Sequence, residues 1–191
     1  MTACKRTGYN LTARERDIVL DRNIALIGFM GVGKTTTSGR LRDILGMEEV
    51  ETDELIIGQE GMPITQIFAE KGEPYFRQVE TQVILRLQDR SGLIISCGGG
   101  VAMRQENVDN LRRGSRIVLL TASPETILKR VGHSTDRPLL NGHMNVEYIS
   151  ELMEKRRPFY EAAADITVAT DGRSADQICA EIVRDILTLA S

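Results

Sequence analysis

Apolar residues along the chain fall into short runs that alternate with longer amphipathic stretches. The runs cover residues 24–28, 93–97, 116–120 and 166–169, and a shorter, more polar strand is predicted at 49–52. Runs that are almost continuously apolar predict strands buried on both faces, which is typical of a parallel sheet.

The amphipathic stretches carry apolar residues at helical spacing and follow the strands in turn. Helices are predicted at residues 34–45, 124–131, 146–163 and 175–189, and Pro63 and Pro74 each mark the start of a further helix. Strands that alternate with helices imply right-handed βαβ units. The pattern therefore predicts an α/β fold of three layers, with a five-stranded parallel sheet flanked by helices.

Chain length and composition fit one domain with a short extension. The chain has 191 residues, of which 41% are hydrophobic, and one core suffices at this size. Residues 1–22 lack a buried pattern, so we expect an N-terminal extension there, with an exposed helix at 10–20, and a single domain over 23–191. Residues 132–145 are rich in Gly, His, Ser, Asn and Pro and predict a mobile lid.

Charge and cysteine usage restrict the expected partners and compartment. The formal net charge is −3, which gives no bulk attraction for a nucleic acid or a membrane surface. No stretch approaches the ~20 apolar residues of a membrane span. The three cysteines, Cys4, Cys97 and Cys179, form no CxxC pair, as expected for a protein of a reducing compartment. We expect a cytoplasmic, monomeric protein that acts on a small molecule.

The segment from Gly28 to Thr35 carries a phosphate-binding motif. Its sequence GFMGVGKT matches GxxxxGK[ST] and lies between a predicted strand and a predicted helix. Glycines let backbone N–H groups face phosphate oxygens, and the helix N-terminus adds positive charge. Lys34 would reach the β- and γ-phosphates, and the Thr35 hydroxyl would ligate magnesium. The motif predicts that ATP and Mg²⁺ are bound through Gly31, Val32, Gly33, Lys34, Thr35 and Thr36.

Two acidic residues lie at the end of the second predicted strand, where ligands of open α/β sheets bind. Glu51 and Asp53 are two residues apart, so on a strand both side chains would share one face. One could serve magnesium and the other a substrate hydroxyl. The alternative is that Asp53 is a helix N-cap, since an apolar segment follows it.

Several further positions allow both a functional and a structural interpretation. Arg77 and Glu80 are three residues apart on a predicted helix and can form an ion pair. The pair could belong to a functional site, or it could be an ordinary ion pair on the surface. The strand end Ser96–Gly100 carries three glycines, which permit close approach of a ligand but also make a flexible turn. Arg130 and Arg137 border or lie in the lid, where they could neutralise charge on a phosphoryl group or belong to a solvated basic loop.

The last candidate is Arg156, in the helix predicted at 146–163. Its guanidinium could bind a carboxylate in bidentate fashion, or it could belong to a basic helix face. Pro158 falls inside this helix and predicts a kink or local break.

The order and spacing of these motifs resemble the shikimate kinase family over residues 24–187. The chain shows GFMGVGKT, ETD, FRQVE, SCGGG, RPLL and RRPFY in the family's order. The resemblance implies a nucleoside-monophosphate-kinase-like P-loop fold with five parallel strands. It also implies transfer of the ATP γ-phosphoryl group to the 3-hydroxyl of shikimate, within chorismate biosynthesis.

The resemblance also implies a role for each matching residue. Lys34, Asp53 and Arg137 would be catalytic, with Asp53 holding the shikimate hydroxyls and Arg137 moving with the lid onto the phosphates. Arg130 would lie near adenine. The substrate would be bound by Asp53, Arg77, Gly98, Gly99, Gly100 and Arg156, with Glu80 orienting Arg77. Magnesium would be served by Thr35, Glu51 and Ser96.

Two positions depart from the family pattern, and two other functions compete with this interpretation. Glu51 replaces the first Asp of the family's Asp-x-Asp, and Ile57 stands where the family often has Glu. One competing function is a kinase of the same fold for another polyol acid, such as gluconate. The other is a non-catalytic nucleotide-binding paralogue that regulates a partner.

Overall fold

Five parallel strands form the centre of the structure, a computed structural model that describes residues 11–131 and 145–190. The strands are β1 (Asn23–Ile27), β2 (Glu48–Glu51), β3 (Leu93–Ser96), β4 (Ser115–Thr121) and β5 (Ile166–Ala169). They pair in the order β2-β3-β1-β4-β5, and each pair is parallel. All five residues of β1 are buried, as expected for a central strand covered on both faces. The predicted α/β fold is confirmed.

Eight α-helices in the described ranges surround this sheet. They are α1 (Ala13–Leu20), α2 (Lys34–Leu45), α3 (Thr52–Glu60), α4 (Ile64–Leu87), α5 (Gln105–Gly114), α6 (Pro124–Val131), α7 (Val146–Ala163) and α8 (Ala175–Leu189). A 3-10 helix at Val101–Met103 follows β3. None of these α-helices combines the length and the apolar character that a membrane crossing requires.

The prolines act differently in α4 and α7. In α4 the chain leaves helical geometry at Gly72, with φ 80° and ψ 166°, just before Pro74, so a second helical segment starts where Pro74 predicted it. In α7 the predicted local break at Pro158 is absent, because the helix is continuous through Val146–Ala163. Pro158 removes one backbone N–H from the helix, and Tyr160 and Ala163 are buried in the turns that follow it.

The end of β2 also differs from the prediction. The strand stops at Glu51 and α3 begins at Thr52, so Asp53 lies in the first turn of a helix, where the helix dipole favours acidic residues. The prediction that Glu51 and Asp53 share one face of a strand is therefore wrong. The N-cap alternative for Asp53 is wrong as well, because Glu51 occupies the N-cap position and makes no side-chain capping bond.

The N-terminal extension contains the expected helix, but that helix is packed and not merely exposed. Helix α1 contacts α8, and Val19 is fully buried. The Arg116 guanidinium also donates to the Ile18 carbonyl at 3.1 Å. The expectation of an exposed helix is therefore wrong at Val19.

Candidate active site

The carboxyl ends of β1, β2 and β3 border one cavity of about 1140 Å³. Ligands of open parallel sheets bind at this edge, and the volume can hold a nucleotide and a second small molecule together. Most predicted site residues of the described part line the cavity: Gly31, Gly33, Lys34, Thr35, Thr36, Glu51, Asp53, Arg77, Ser96, Gly98, Gly99, Gly100, Arg130 and Arg156.

Two predicted site residues, Val32 and Arg137, are not among the residues described as lining the cavity. The Val32 side chain is buried, and its backbone N–H donates to the Phe29 carbonyl at 3.4 Å. Arg137 and nearly all of the predicted lid lie outside the described residues. The exception is Asn145, whose side chain caps α7 by accepting the Tyr148 N–H at 2.8 Å.

The phosphate-binding loop joins β1 to α2. Gly33 is the N-cap of α2 and has φ 101°, a left-handed conformation that favours glycine. Lys34 Nζ donates to the carbonyls of Gly28 at 2.9 Å and Phe29 at 3.1 Å, so the ammonium lies folded against its own loop. The helix N-terminus and this ammonium together make the loop a site for anions.

Arg130 connects this loop to the end of β5. Its Nη1 donates to the carbonyls of Gly31 and Val32, at 3.3 and 3.1 Å, and its guanidinium also bonds Thr170. Arg130 thus lies beside the phosphate loop, and its contact with adenine stays a prediction.

The predicted magnesium ligands bring hard oxygen atoms together at the start of α2 and α3. The side chains of Thr35 and Glu51 line the same cavity, and the Thr35 hydroxyl is close enough to act on the pKa of the Glu51 carboxyl. Partial burial raises the pKa of Glu51; the Thr35 hydroxyl opposes this shift, while the nearby acids Glu49, Glu54 and Asp53 add to it. No set of three or more acidic, His or Cys side chains in the described ranges could cage a metal alone. This donor set fits Mg²⁺, which usually takes one or two protein oxygens and completes its octahedron with phosphates and water.

Asp53 lies directly over the strand end of β3. A Cβ atom placed on Gly98 would be only 2.4 Å from Asp53 Oδ1, so the carboxylate contacts bare backbone there. The neighbouring Thr52 is fully buried, and its hydroxyl accepts the Gly98 N–H at 2.8 Å. Thr52 thereby fixes the Gly98 backbone under Asp53. Sequence reasoning missed Thr52, because its partner is 46 residues away.

Arg77 is held by two glutamates at the cavity wall. Its Nη1 bonds both carboxylate oxygens of Glu80 at 3.0 Å, and its Nε and Nη2 bond Glu73 Oε1 at 3.2 and 3.1 Å. Burial raises the pKa of Glu80, and Arg77 offsets part of this rise. The predicted surface-pair alternative does not apply, since the Glu80 side chain is only 1% exposed. Glu73 was missed, although its i,i+4 spacing to Arg77 is a sequence signal.

Arg156 contacts the glycine-rich strand end at Gly99. Its Nη1 donates to the Gly99 carbonyl at 3.4 Å, and its guanidinium is 5.7 Å from the centre of the Phe29 ring. The Tyr160 hydroxyl donates to the same carbonyl at 2.6 Å, and burial raises the pKa of this phenol. Tyr160 is one turn from Arg156 on α7 and was given no role from sequence.

Comparison with known proteins identifies consistent relatives. A family model described as shikimate kinase matches residues 30–187. A shikimate kinase from Dehalococcoides mccartyi is 44% identical over 163 residues, covering 85% of this chain and 92% of that protein. A shikimate kinase from Moorella thermoacetica is 42% identical, covering 84% and 91%.

Solved structures agree at the level of the fold and the family. A shikimate kinase from Acinetobacter baumannii in complex with shikimate superposes with a TM-score of 0.85 at 31% identity, covering 92% of this chain and 98% of that one. A gluconokinase from Sinorhizobium meliloti is 21% identical with a TM-score of 0.58, covering 90% and 94%, and shares the fold alone.

Proposed function

Because the chain belongs to the shikimate kinase family, we propose that it transfers the γ-phosphoryl group of ATP to the 3-hydroxyl of shikimate, with Mg²⁺ as the required metal. The observation that carries the proposal is the set of groups around the glycine-rich end of β3. Two arginines and one carboxylate surround Gly98–Gly100 in the same cavity as the phosphate loop. A small acid with several hydroxyls needs this complement.

The acceptor is bound at its two chemically different ends. Arg77 and Arg156 supply the cations for its carboxylate, and guanidinium groups suit bidentate carboxylate binding. Asp53 accepts a hydrogen bond from the reacting hydroxyl and can take its proton as the phosphoryl group is transferred. Because Gly98 and Gly100 lack side chains, the acceptor can approach the backbone between these groups.

The donor is bound by the phosphate loop. Backbone N–H groups of the loop and the N-terminus of α2 bind the phosphates. Lys34 leaves its loop carbonyls and places its charge on the oxygens of the transferring group, where negative charge must be stabilised. Thr35 and Glu51, with Ser96 nearby, would hold Mg²⁺, which supplies further neutralisation of the phosphates. We propose that Arg137 adds a further positive charge there.

The test measures ADP release with shikimate, with gluconate and without an acceptor. We expect turnover that depends on shikimate. Arg77→Ala and Arg156→Ala should each weaken shikimate binding by about 2–4 kcal/mol, because each removes a desolvated charge partner, and should leave ATP binding nearly unchanged.

Each competing function gives a distinct result in this assay. Turnover with gluconate and none with shikimate would identify a kinase of another polyol acid. Nucleotide binding without acceptor-dependent turnover would identify a non-catalytic paralogue. Loss of ATP affinity in either arginine variant, with shikimate affinity kept, would refute the assignment of that arginine.

A further inference from the structure

Glu73 occupies the part of Arg77 that an incoming carboxylate would use. Arg77 offers Nη1 to Glu80 and the adjacent Nε and Nη2 edge to Glu73. That edge is one of the two fork geometries in which guanidinium groups bind carboxylates. A substrate carboxylate that takes this edge must displace Glu73.

Glu73 and Glu80 differ sharply in the exposure of their side chains to solvent. The Glu80 side chain is 1% exposed, whereas the Glu73 side chain is 60% exposed. Removing Glu80 from Arg77 would leave a buried charge without its partner, which is strongly unfavourable. Releasing Glu73 only returns a carboxylate to water, and exposed ion pairs of this kind contribute little.

The backbone lets Glu73 leave without unwinding α4. Glu73 follows the break at Gly72, with φ 80° and ψ 166°, and so stands where the second helical segment starts. Glu73, Arg77 and Glu80 all line the large cavity, so the exchange takes place at its wall. Rotation of one exposed side chain is sufficient.

We propose that Glu73 is an exchangeable internal carboxylate that pairs with Arg77 in the empty site and is replaced by the carboxylate of the substrate. This inference rests on the proposed function and adds a specificity-determining residue to it. Arg77 then keeps two carboxylate partners in both states, and Glu73 lowers the affinity for the acid by competing with it. The same competition favours release of the phosphorylated product, which retains its carboxylate.

Titration calorimetry of Glu73→Gln tests the exchange. The variant keeps the shape of the side chain and removes its charge, so shikimate should bind about two- to fivefold more tightly, the range that an exposed ion pair provides. The matched control is Glu70→Gln, three residues earlier and before the break at Gly72, where the carboxylate accepts a bond from Gln66 and does not line the cavity. Glu70→Gln should leave the affinity unchanged.

Shikimate methyl ester separates carboxylate competition from a general change in the site. Its affinity should be the same for the parent and for Glu73→Gln, since the ester cannot replace Glu73 as an anion. Unchanged or weaker shikimate binding by Glu73→Gln would overturn the inference, as would an equal gain for the ester. A parent protein that gives no heat with shikimate would refute the proposed function itself, and the inference with it.

Discussion

An alanine at position 100 would place its methyl group where the Arg77 guanidinium lies. A Cβ atom built on Gly100 is 2.2 Å from Nη1, 2.7 Å from Cζ and 2.8 Å from Nη2 of Arg77. The backbone tolerates alanine, because Gly100 has φ −101° and ψ −8°. The substitution therefore acts on the arginine and leaves the fold in place.

The expected magnitude follows from the distance that Arg77 must move. Ordinary contact begins near 3.4 Å, so the guanidinium has to retreat by about 1.2 Å from its position beside Glu80. Misplacing a charged group that binds the substrate carboxylate costs about 2 kcal/mol, which corresponds to a roughly 30-fold weaker shikimate affinity. Because Arg77 is a flexible side chain that can shift, we expect a much smaller change in the free energy of unfolding.

Titration calorimetry with shikimate and with a nucleotide measures both parts of this prediction. Shikimate affinity should fall in Gly100→Ala while nucleotide affinity stays near that of the parent. Gly99→Ala is the matched comparison, since its Cβ atom would meet Met30 N at 3.7 Å, which is an ordinary contact. Gly99→Ala should therefore lose less shikimate affinity than Gly100→Ala.

A double-mutant cycle with Arg77→Ala decides whether the loss is transmitted through Arg77. Once the guanidinium is absent, the added methyl group has nothing to displace, so Gly100→Ala should have little further effect. Additive losses, or a Gly100→Ala affinity within about threefold of the parent, would refute the reasoning.

Three further substitutions probe the donor and metal sides of the site. Lys34→Ala should lower kcat by about 10²–10³-fold with the fold retained, because it removes a charge from the transferring group; near-parental turnover would exclude a catalytic phosphate loop. Asp53→Asn should lower kcat by on the order of 10²-fold or more, and a normal rate would mean that positioning alone suffices. Glu51→Asp should keep turnover within about tenfold, whereas Glu51→Gln should raise the magnesium requirement in a titration of turnover. Identical magnesium curves for Glu51→Gln and the parent would show that Glu51 does not serve the metal.

The parts of the fold that follow from local pattern were predicted well. Residues 166–169 and 175–189 match β5 and α8 because apolar periodicity and capping depend on neighbouring residues alone. The end of β2 was misplaced because the segment Glu51-Thr52-Asp53 fits both the end of a strand and the first turn of a helix. The choice depends on Thr52, whose hydroxyl bonds the distant Gly98.

The site was predicted as a set of residues and not as a set of contacts. Motif spacing indicated that Arg77 and the triple glycine belong together, but their contact joins α4 to the end of β3 and requires the folded sheet. Arg130 shows the same limit, because its partners Gly31 and Thr170 are 99 and 40 residues away. Buried polar side chains such as Thr52 give no sequence signal of their own, since the same residue type is common on surfaces.

The two departures from the family pattern both line the cavity but differ in chemistry and position along the chain. Glu51 stands at the strand end, where its longer side chain keeps a carboxylate in the same cavity as Thr35 and the phosphate loop. Ile57 lies six residues further on, about 9 Å along α3 at the helical rise, and lines the cavity together with Pro63 and Ile64. An apolar side chain at that distance changes the wall of the cavity and not the ligands of the metal. Of these two departures, only Glu51 should therefore affect the magnesium requirement, and replacing Ile57 with Glu should leave the magnesium titration curve unchanged.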